Sequence, residues 1–303
     1  MSSIKKKAIS GTIWTVVGYG GSQILRLGAN IILTRLLVPE LFGLMALMNT
    51  FITGLKLFSD LGIRPSIIRS PRGDDPVFIN TGWTLQVIRG FGLWIACCLI
   101  AWPVAQLYDN PDLIWLLPIV GSTTIMSGFS STALVTLNRK MNFRIITLFP
   151  LAVQIISLAV TIIWACFHKT IWALVVGSLT SSMINMIISH RLDPKVSNRF
   201  MLDKESLEEL VSFGRWVFLA TIMTFLAEQA DKLLLGKFLS LEMLGVYVVA
   251  FTLADVPRKA FRQVSQNVMM PIIASQKELP RKQLRNKILK KTLVSLDCIS
   301  SHS

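Results

Sequence analysis

Along most of this chain the apolar positions run on rather than alternate. Eight long apolar stretches, near residues 9 to 37, 41 to 62, 78 to 107, 112 to 137, 143 to 167, 170 to 190, 211 to 237 and 241 to 264, are separated by short polar or basic segments. An α-helix needs about 20 mainly apolar residues to cross the hydrocarbon core of a bilayer. The pattern therefore predicts an all-α polytopic membrane protein of about eight transmembrane helices. The first stretch follows Lys5, Lys6 and Lys7 but is too long for a signal peptide, and no small-residue cleavage site follows it.

The polar residues inside these stretches recur at helical spacing. In the second, Asn49, Thr53, Lys56 and Asp60 are 4, 3 and 4 residues apart, which places them on one stripe. Gln23, Arg26 and Asn30 do the same in the first stretch, and Thr221, Thr224, Glu228 and Asp231 in the seventh. The fifth carries Gln154, Ser157 and Thr161, and the sixth Ser178, Ser181, Asn185 and Ser189. Serine, threonine and amide side chains of this kind also hold transmembrane helices together.

One segment is said twice. "LLVPELFGLMALMNT" at residues 36 to 50 returns as "FLSLEMLGVYVVAFT" at 238 to 252, an offset of 202 residues that carries Leu37, Glu40, Gly43 and Thr50 onto Leu239, Glu242, Gly245 and Thr252. The register continues without a gap from Trp14 and Trp216 to Lys56 and Arg258. Six spans lie between equivalent points, so both copies insert with the same orientation. This is a parallel repeat related by an axis along the membrane normal. The expected organisation is a first six-span repeat over 1–190 and a cytoplasmic linker helix over 191–212. The start of a second repeat, two spans and a basic segment, follows over 213–292, and an aberrant or truncated tail over 293–303. The third span of the second copy would need residues to about 309, whereas the chain ends in "DCISSHS" at Ser303. A truncated second half is the expectation.

Composition supports the membrane reading: 52% of residues are hydrophobic and 16% charged, against about 25% charged in soluble domains. The formal net charge of +14 would suggest nucleic acid in a soluble protein. Here the base sits in alternate loops, at Lys5 to Lys7, at Arg64, Arg69 and Arg72, at Arg139, Lys140 and Arg144, and at Arg191, Lys195, Arg199 and Lys204. The loops "YDNPD" and "HKT" between them are nearly free of it. Positive charge on the cytoplasmic side puts the N-terminus and these basic loops inside. It reports topology and anionic lipid contact, and no aromatic-interleaved basic groove points to nucleic acid.

Soluble-type catalysis finds no support. Cys97, Cys98, Cys166 and Cys298 lack metal or redox spacing, His168, His190 and His302 share no spacing with carboxylates or cysteines, and no nucleophile motif or phosphate loop is present. No catalytic residue, metal or cofactor is expected. The candidate chemistry is electrostatic. Charges deep in a span are expensive and usually face a cavity or one another. Arg26, Lys56, Arg89 and Arg258 are the expected cations of a substrate path, with at least two of them facing one cavity. Asp60, Glu228, Asp231 and Asp255 are candidates for binding a coupling proton or Na⁺. Internal neutralisation competes with both roles: Lys56 with Asp60, and Lys232 with Glu228, stand at ion-pair spacing, whereas Arg26 and Arg89 have no local partner. Arg64 and Arg258 could instead snorkel to the cytoplasmic surface. A positive cavity would favour an anion such as a diphosphate on a lipid carrier, the lipid tail remaining in the bilayer.

The stretch "ILTRLLVPELFGLMALMNTF", preceded by "SGTIWTVVGYGGSQILRLGAN", resembles the start of bacterial polysaccharide flippases of the multidrug/oligosaccharidyl-lipid/polysaccharide exporter superfamily, the O-antigen and colanic acid type above all. The resemblance continues through "FSDLGIRPSIIR", "LNRKMNFR" and "EMLGVYVVAFTLADVPRKAF" and covers residues 1 to about 292. It implies two homologous halves of six spans in the bacterial cytoplasmic membrane. It further implies movement of undecaprenyl-diphosphate-linked sugar units to the outer leaflet for polysaccharide biosynthesis and export. Contact with polysaccharide assembly machinery is a further expectation. Three alternatives stand beside this reading: an ion-coupled drug or cation antiporter of the same superfamily, a membrane-embedded glycosyl polymerase or transferase, and a non-functional truncated fragment. The antiporter would be expected to place a carboxylate, not Arg26, in the first span. The polymerase would need a large outer loop.

Overall fold

A computed structural model describes residues 2–60, 62–140, 142–194 and 196–264, with backbone alone for parts of α1, α10 and α11 and for Arg69 and Arg139. The described residues form eleven helices and no strand. They are α1 (Ser2–Leu36), α2 (Pro39–Phe58), α3 (Ile63–Arg69), α4 (Pro76–Leu107), α5 (Leu113–Gly121), α6 (Thr123–Phe129), α7 (Ala133–Arg139), α8 (Phe143–Phe167), α9 (Trp172–Ser189), α10 (Lys204–Phe238) and α11 (Leu241–Val264). The protein is an all-α polytopic membrane protein. Among the described helices, α2, α4, α8 and α9 are each long and apolar enough to cross a membrane, and the α5–α6 stretch Leu113–Phe129 is apolar as well. Large apolar side chains such as Leu99, Trp102, Trp115 and Phe167 lie on the outside. A soluble monomer rarely shows such a surface, whereas lipid tails cover it at no penalty.

Each apolar stretch coincides with one helix, except the fourth. There Pro118 interrupts the hydrogen-bond ladder, Ser122 separates α5 from α6, and the chain leaves the helix at Ser130 with φ −60° and ψ 138°. The linker differs too. Residues 198–203 are not helical but run along the first turns of α4, where every second amide finds a polar side chain. The amide of Arg199 donates to Asn80 Oδ1 at 3.1 Å, that of Met201 to Thr84 Oγ1 at 2.9 Å and that of Asp203 to Thr81 Oγ1 at 3.2 Å. Phe200 packs against Trp83 between them, ring centroids 4.9 Å apart and planes tilted by 51°. The helix that follows is continuous from linker to span.

Residues Met1–Asp255 form one compact unit and Val256–Ser303 a second. In the first, α1 lies against α8, α8 against α9, α4 against α5 and α6, and α10 against α2. The main apolar core joins Leu44, Met48 and Ile52 of α2 to Cys97 and Ala101 of α4 and Leu117 of α5. α10 is held at both ends. Near its start Leu210 is fully buried with Ile63, Ile67 and Phe78, and near its end Lys237 Nζ donates to the Leu107 carbonyl at 2.6 Å. In the second unit the described residues continue α11 to Val264, with Arg258 exposed.

Candidate functional site

α2 ends at Phe58, and α3 starts after Gly62, whose φ of 62° lies in the left-handed region that a side chain resists. Asp60 Oδ1 accepts the Gly62 amide at 3.0 Å, which fixes the turn. Because the helix has already ended, Asp60 is lifted off the stripe that carries Lys56. The Lys56–Asp60 pair that their spacing allows is not formed. Arg89 of α4 takes its place: Nη1 stands 3.9 Å from Asp60 Oδ1, Nε donates to Ser59 Oγ at 2.9 Å, and Nη2 donates to the Lys56 carbonyl. Arg89, without a partner on its own helix, has three at the end of α2 and in the segment that follows it.

One turn earlier on the same face of α4, Gln86 does the same for α6. Its Nε2 donates to the carbonyls of Ser127 at 3.0 Å, Gly128 at 3.0 Å and Ser130 at 3.1 Å. Away from water a helix end must have its last carbonyls satisfied by the protein. The close approach of the two helices allows it. A Cβ on Gly90 would come within 2.8 Å of the Thr124 carbonyl oxygen, and one on Gly128 within 3.0 Å of that of Gln86.

These ends enclose an open cavity of about 410 Å³ between α2, α3, α4, α6, α7 and α9. Lys56, Asp60, Arg64, Gln86, Arg89 and Asn185 contribute its polar wall. Lys56 makes no hydrogen bond or ion pair through its ammonium with the described residues. Three cations and one carboxylate face the space, so its field favours an anion. Arg64, which the sequence allows to snorkel, is exposed at α3 and lines the same cavity.

The remaining candidates lie elsewhere. Arg26 is exposed on α1 and does not line this cavity, while its stripe neighbour Gln23 is buried. Asp231 is half-buried on α10 and accepts the hydroxyl of Tyr247 on α11 at 2.6 Å through Oδ2, while its Oδ1 is buried without a hydrogen bond among the described residues. Asp255 is buried. The side chain of Glu228 lies outside the described residues, and Lys232 donates to Gln229 Oε1 at 2.8 Å. Among the described residues no group of histidine, cysteine and carboxylate side chains could hold a metal.

A second polar cluster, absent from the sequence-based expectations, joins the loop before α4 to the start of α10. Arg72 stands 3.2 Å from Asp75, 3.6 Å from Glu205 and 3.9 Å from both Asp203 and Glu209, and Ser70 Oγ donates to Glu209 at 2.7 Å. Asp203 caps α10, accepting the Ser206 hydroxyl at 2.7 Å and the Ser206 amide at 2.9 Å. The hydroxyl bond first, then the amide bond and the Arg72 charge, hold the Asp203 carboxyl below the usual carboxylate range. The carboxylates Asp203, Glu205, Glu208 and Glu209 crowded at the start of α10 are the sequence signal that could have found it.

A helical membrane protein whose broken helix ends line a cationic cavity is the class that fold and site define. The chain belongs to the family described as Polysaccharide biosynthesis protein, which it matches over residues 32–299. It is 21% identical over 277 residues to the lipopolysaccharide biosynthesis protein WzxC of Escherichia coli strain K12, covering 90% of this chain and 55% of that protein. It is 20% identical to the succinoglycan biosynthesis transport protein ExoT of Rhizobium meliloti, over 89% of this chain and 54% of that one. It is also 20% identical to the teichuronic acid biosynthesis protein TuaB of Bacillus subtilis, over 91% and 57%. The chain thus spans about half the length of the curated relatives it matches. No solved structure matches it.

Proposed function

We propose that this chain carries the substrate-handling half of a flippase that moves undecaprenyl-diphosphate-linked oligosaccharide across the bacterial cytoplasmic membrane for polysaccharide export. The observation that carries the reading is the ammonium of Lys56, without a partner among the described residues, in a cavity shared with Arg64 and Arg89 and walled by Gln86 and Asn185. Base there attracts a diphosphate, amides and hydroxyls hydrogen-bond sugar, and the open side leaves the lipid tail in the bilayer. No covalent step is required. Relatives named for lipopolysaccharide, succinoglycan and teichuronic acid biosynthesis support the polysaccharide class. On this reading the N-terminus is cytoplasmic, α10 and α11 begin a second parallel repeat, and the chain works beside polysaccharide assembly machinery.

Asp231 is the proposed seat of a coupling H⁺ or Na⁺, because one of its oxygens is buried without a hydrogen bond to the described residues while Tyr247 holds the other. Translocation of a lipid-linked oligosaccharide into the outer leaflet of vesicles tests the proposal. Lys56→Ala is expected to lower translocation without lowering protein level. Unchanged translocation removes the cationic-site argument.

A further inference from the structure

We infer that Arg89 is a positioning residue, closing the C-terminal end of α2 so that Lys56 is the cation offered to an anionic headgroup; the ligand part of this rests on the function proposed above. All three faces of the guanidinium are engaged within the protein. Nε goes to Ser59 Oγ at 2.9 Å, Nη2 to the Lys56 carbonyl and Nη1 to Asp60 at 3.9 Å. A cation beside the last carbonyls of a helix also meets the negative end of the helix dipole. The Lys56 ammonium, on the same last turn, has no partner among the described residues and lines the cavity. The two neighbouring cations therefore have different work. Arg89 sets where the end of α2 lies, and through its bond to the Lys56 backbone it sets where the Lys56 side chain begins.

Gln86 supports this independently. It is neutral, it sits three residues before Arg89 on the same helix face, and it closes the end of α6 through three carbonyls. The shared property of the two residues is a planar fork of donors, not charge. Lysine carries the charge of arginine on a single point and cannot reproduce the fork. Charge and geometry can thus be separated by substitution.

The test uses the whole chain in membrane vesicles, with Cys97, Cys98, Cys166 and Cys298 replaced and Lys56→Cys introduced. That substitution leaves the backbone carbonyl that Arg89 bonds. Labelling at position 56 is timed with an anionic and a cationic methanethiosulfonate. Arg89→Lys and Arg89→Gln are expected to change the labelling rate alike, several-fold, and by the same factor for both reagents. If Arg89→Lys labels like its parent, or if Arg89→Gln alters only the preference between reagents, Arg89 acts through its charge and the inference falls. If neither substitution changes the rate, it falls as well. Should both variants fail to insert, Ser59→Ala decides: a smaller change in the same sense for both reagents supports positioning, and no change overturns it. None of these readouts needs transport, so loss of the flippase reading through Lys56→Ala leaves the Arg89 result standing.

Discussion

Gly43 and Gly245, separated by 202 residues, meet at the N-terminal ends of α2 and α11 through reciprocal contacts. A Cβ on Gly43 would overlap the carbonyl oxygen of Leu241, and a Cβ on Gly245 would overlap that of Pro39. Pro39 and Leu241 are themselves 202 residues apart. Each glycine therefore touches the counterpart of its own neighbour, as in an interface related by a two-fold axis. Both positions are helical, so close approach of backbones, not an unusual φ, is what requires glycine here.

Equal losses are expected from Gly43→Ala and Gly245→Ala. Each added methyl must push the two helices apart, at about 1–3 kcal/mol for overpacking, and the symmetry of the contact makes the two values similar. Gly28 on α1 has nothing within 4 Å of its Cβ position, so Gly28→Ala is neutral or slightly stabilising. Thermal unfolding of the three variants in one detergent measures the difference. Equal midpoints for Gly43→Ala and Gly28→Ala would contradict the close approach.

Gln86→Leu is expected to loosen the end of α6. Three carbonyls lose one shared donor, and leaving a buried acceptor unmatched costs about 1–3 kcal/mol. Hydrogen exchange at Ser130 and Thr132 should rise in the variant while exchange within α8 is unchanged. Gln86→Glu, which offers no amide donor, should behave like Gln86→Leu.

The cap at Asp203 predicts an acid-sensitive junction. Its folded-state pKa is depressed, chiefly by the Ser206 hydroxyl, so the stabilisation is present above the ordinary carboxylate value of about 4. It is lost as pH falls from there through the lower folded value. Proteolysis between residues 198 and 206, followed from pH 7 down to pH 3 with an acid-active protease, should quicken at the acid end. Asp203→Asn should lose that pH dependence.

Asp231→Asn should abolish ion-driven translocation while leaving binding of an anionic lipid diphosphate unchanged. A neutral amide can still accept the Tyr247 hydroxyl but cannot gain or release a proton. Counterflow, which needs binding but no driving ion, separates the two effects. Loss of counterflow in Asp231→Asn would place Asp231 in the binding step instead.

Two features of the chain were legible because each depends on residues close together in sequence. The apolar stretches mark the helices, and the stripe through Asn49, Thr53 and Lys56 marks one face of α2, since period and length are local properties. The second copy of "LLVPELFGLMALMNT" pointed to the pair Gly43 and Gly245 without showing that they touch. What failed at the site was the assumption that the stripe continues to Asp60. α2 ends two residues sooner, and an ion pair drawn from helical spacing disappears with the helix.

The sequence by itself determined that the chain is helical and where most of its long apolar helices run, because transfer of apolar side chains into lipid acts residue by residue; it did not determine which charges are buried, since Arg26 and Arg258 are exposed. Only the tertiary structure decided what those charges do. Arg89 on α4 and its acceptors at Lys56, Ser59 and Asp60, at and just past the end of α2, lie some 30 residues apart in sequence. Partners across helices are set by how helix ends pack and which carbonyls are left without an amide, and a spacing rule within one helix carries no information about either.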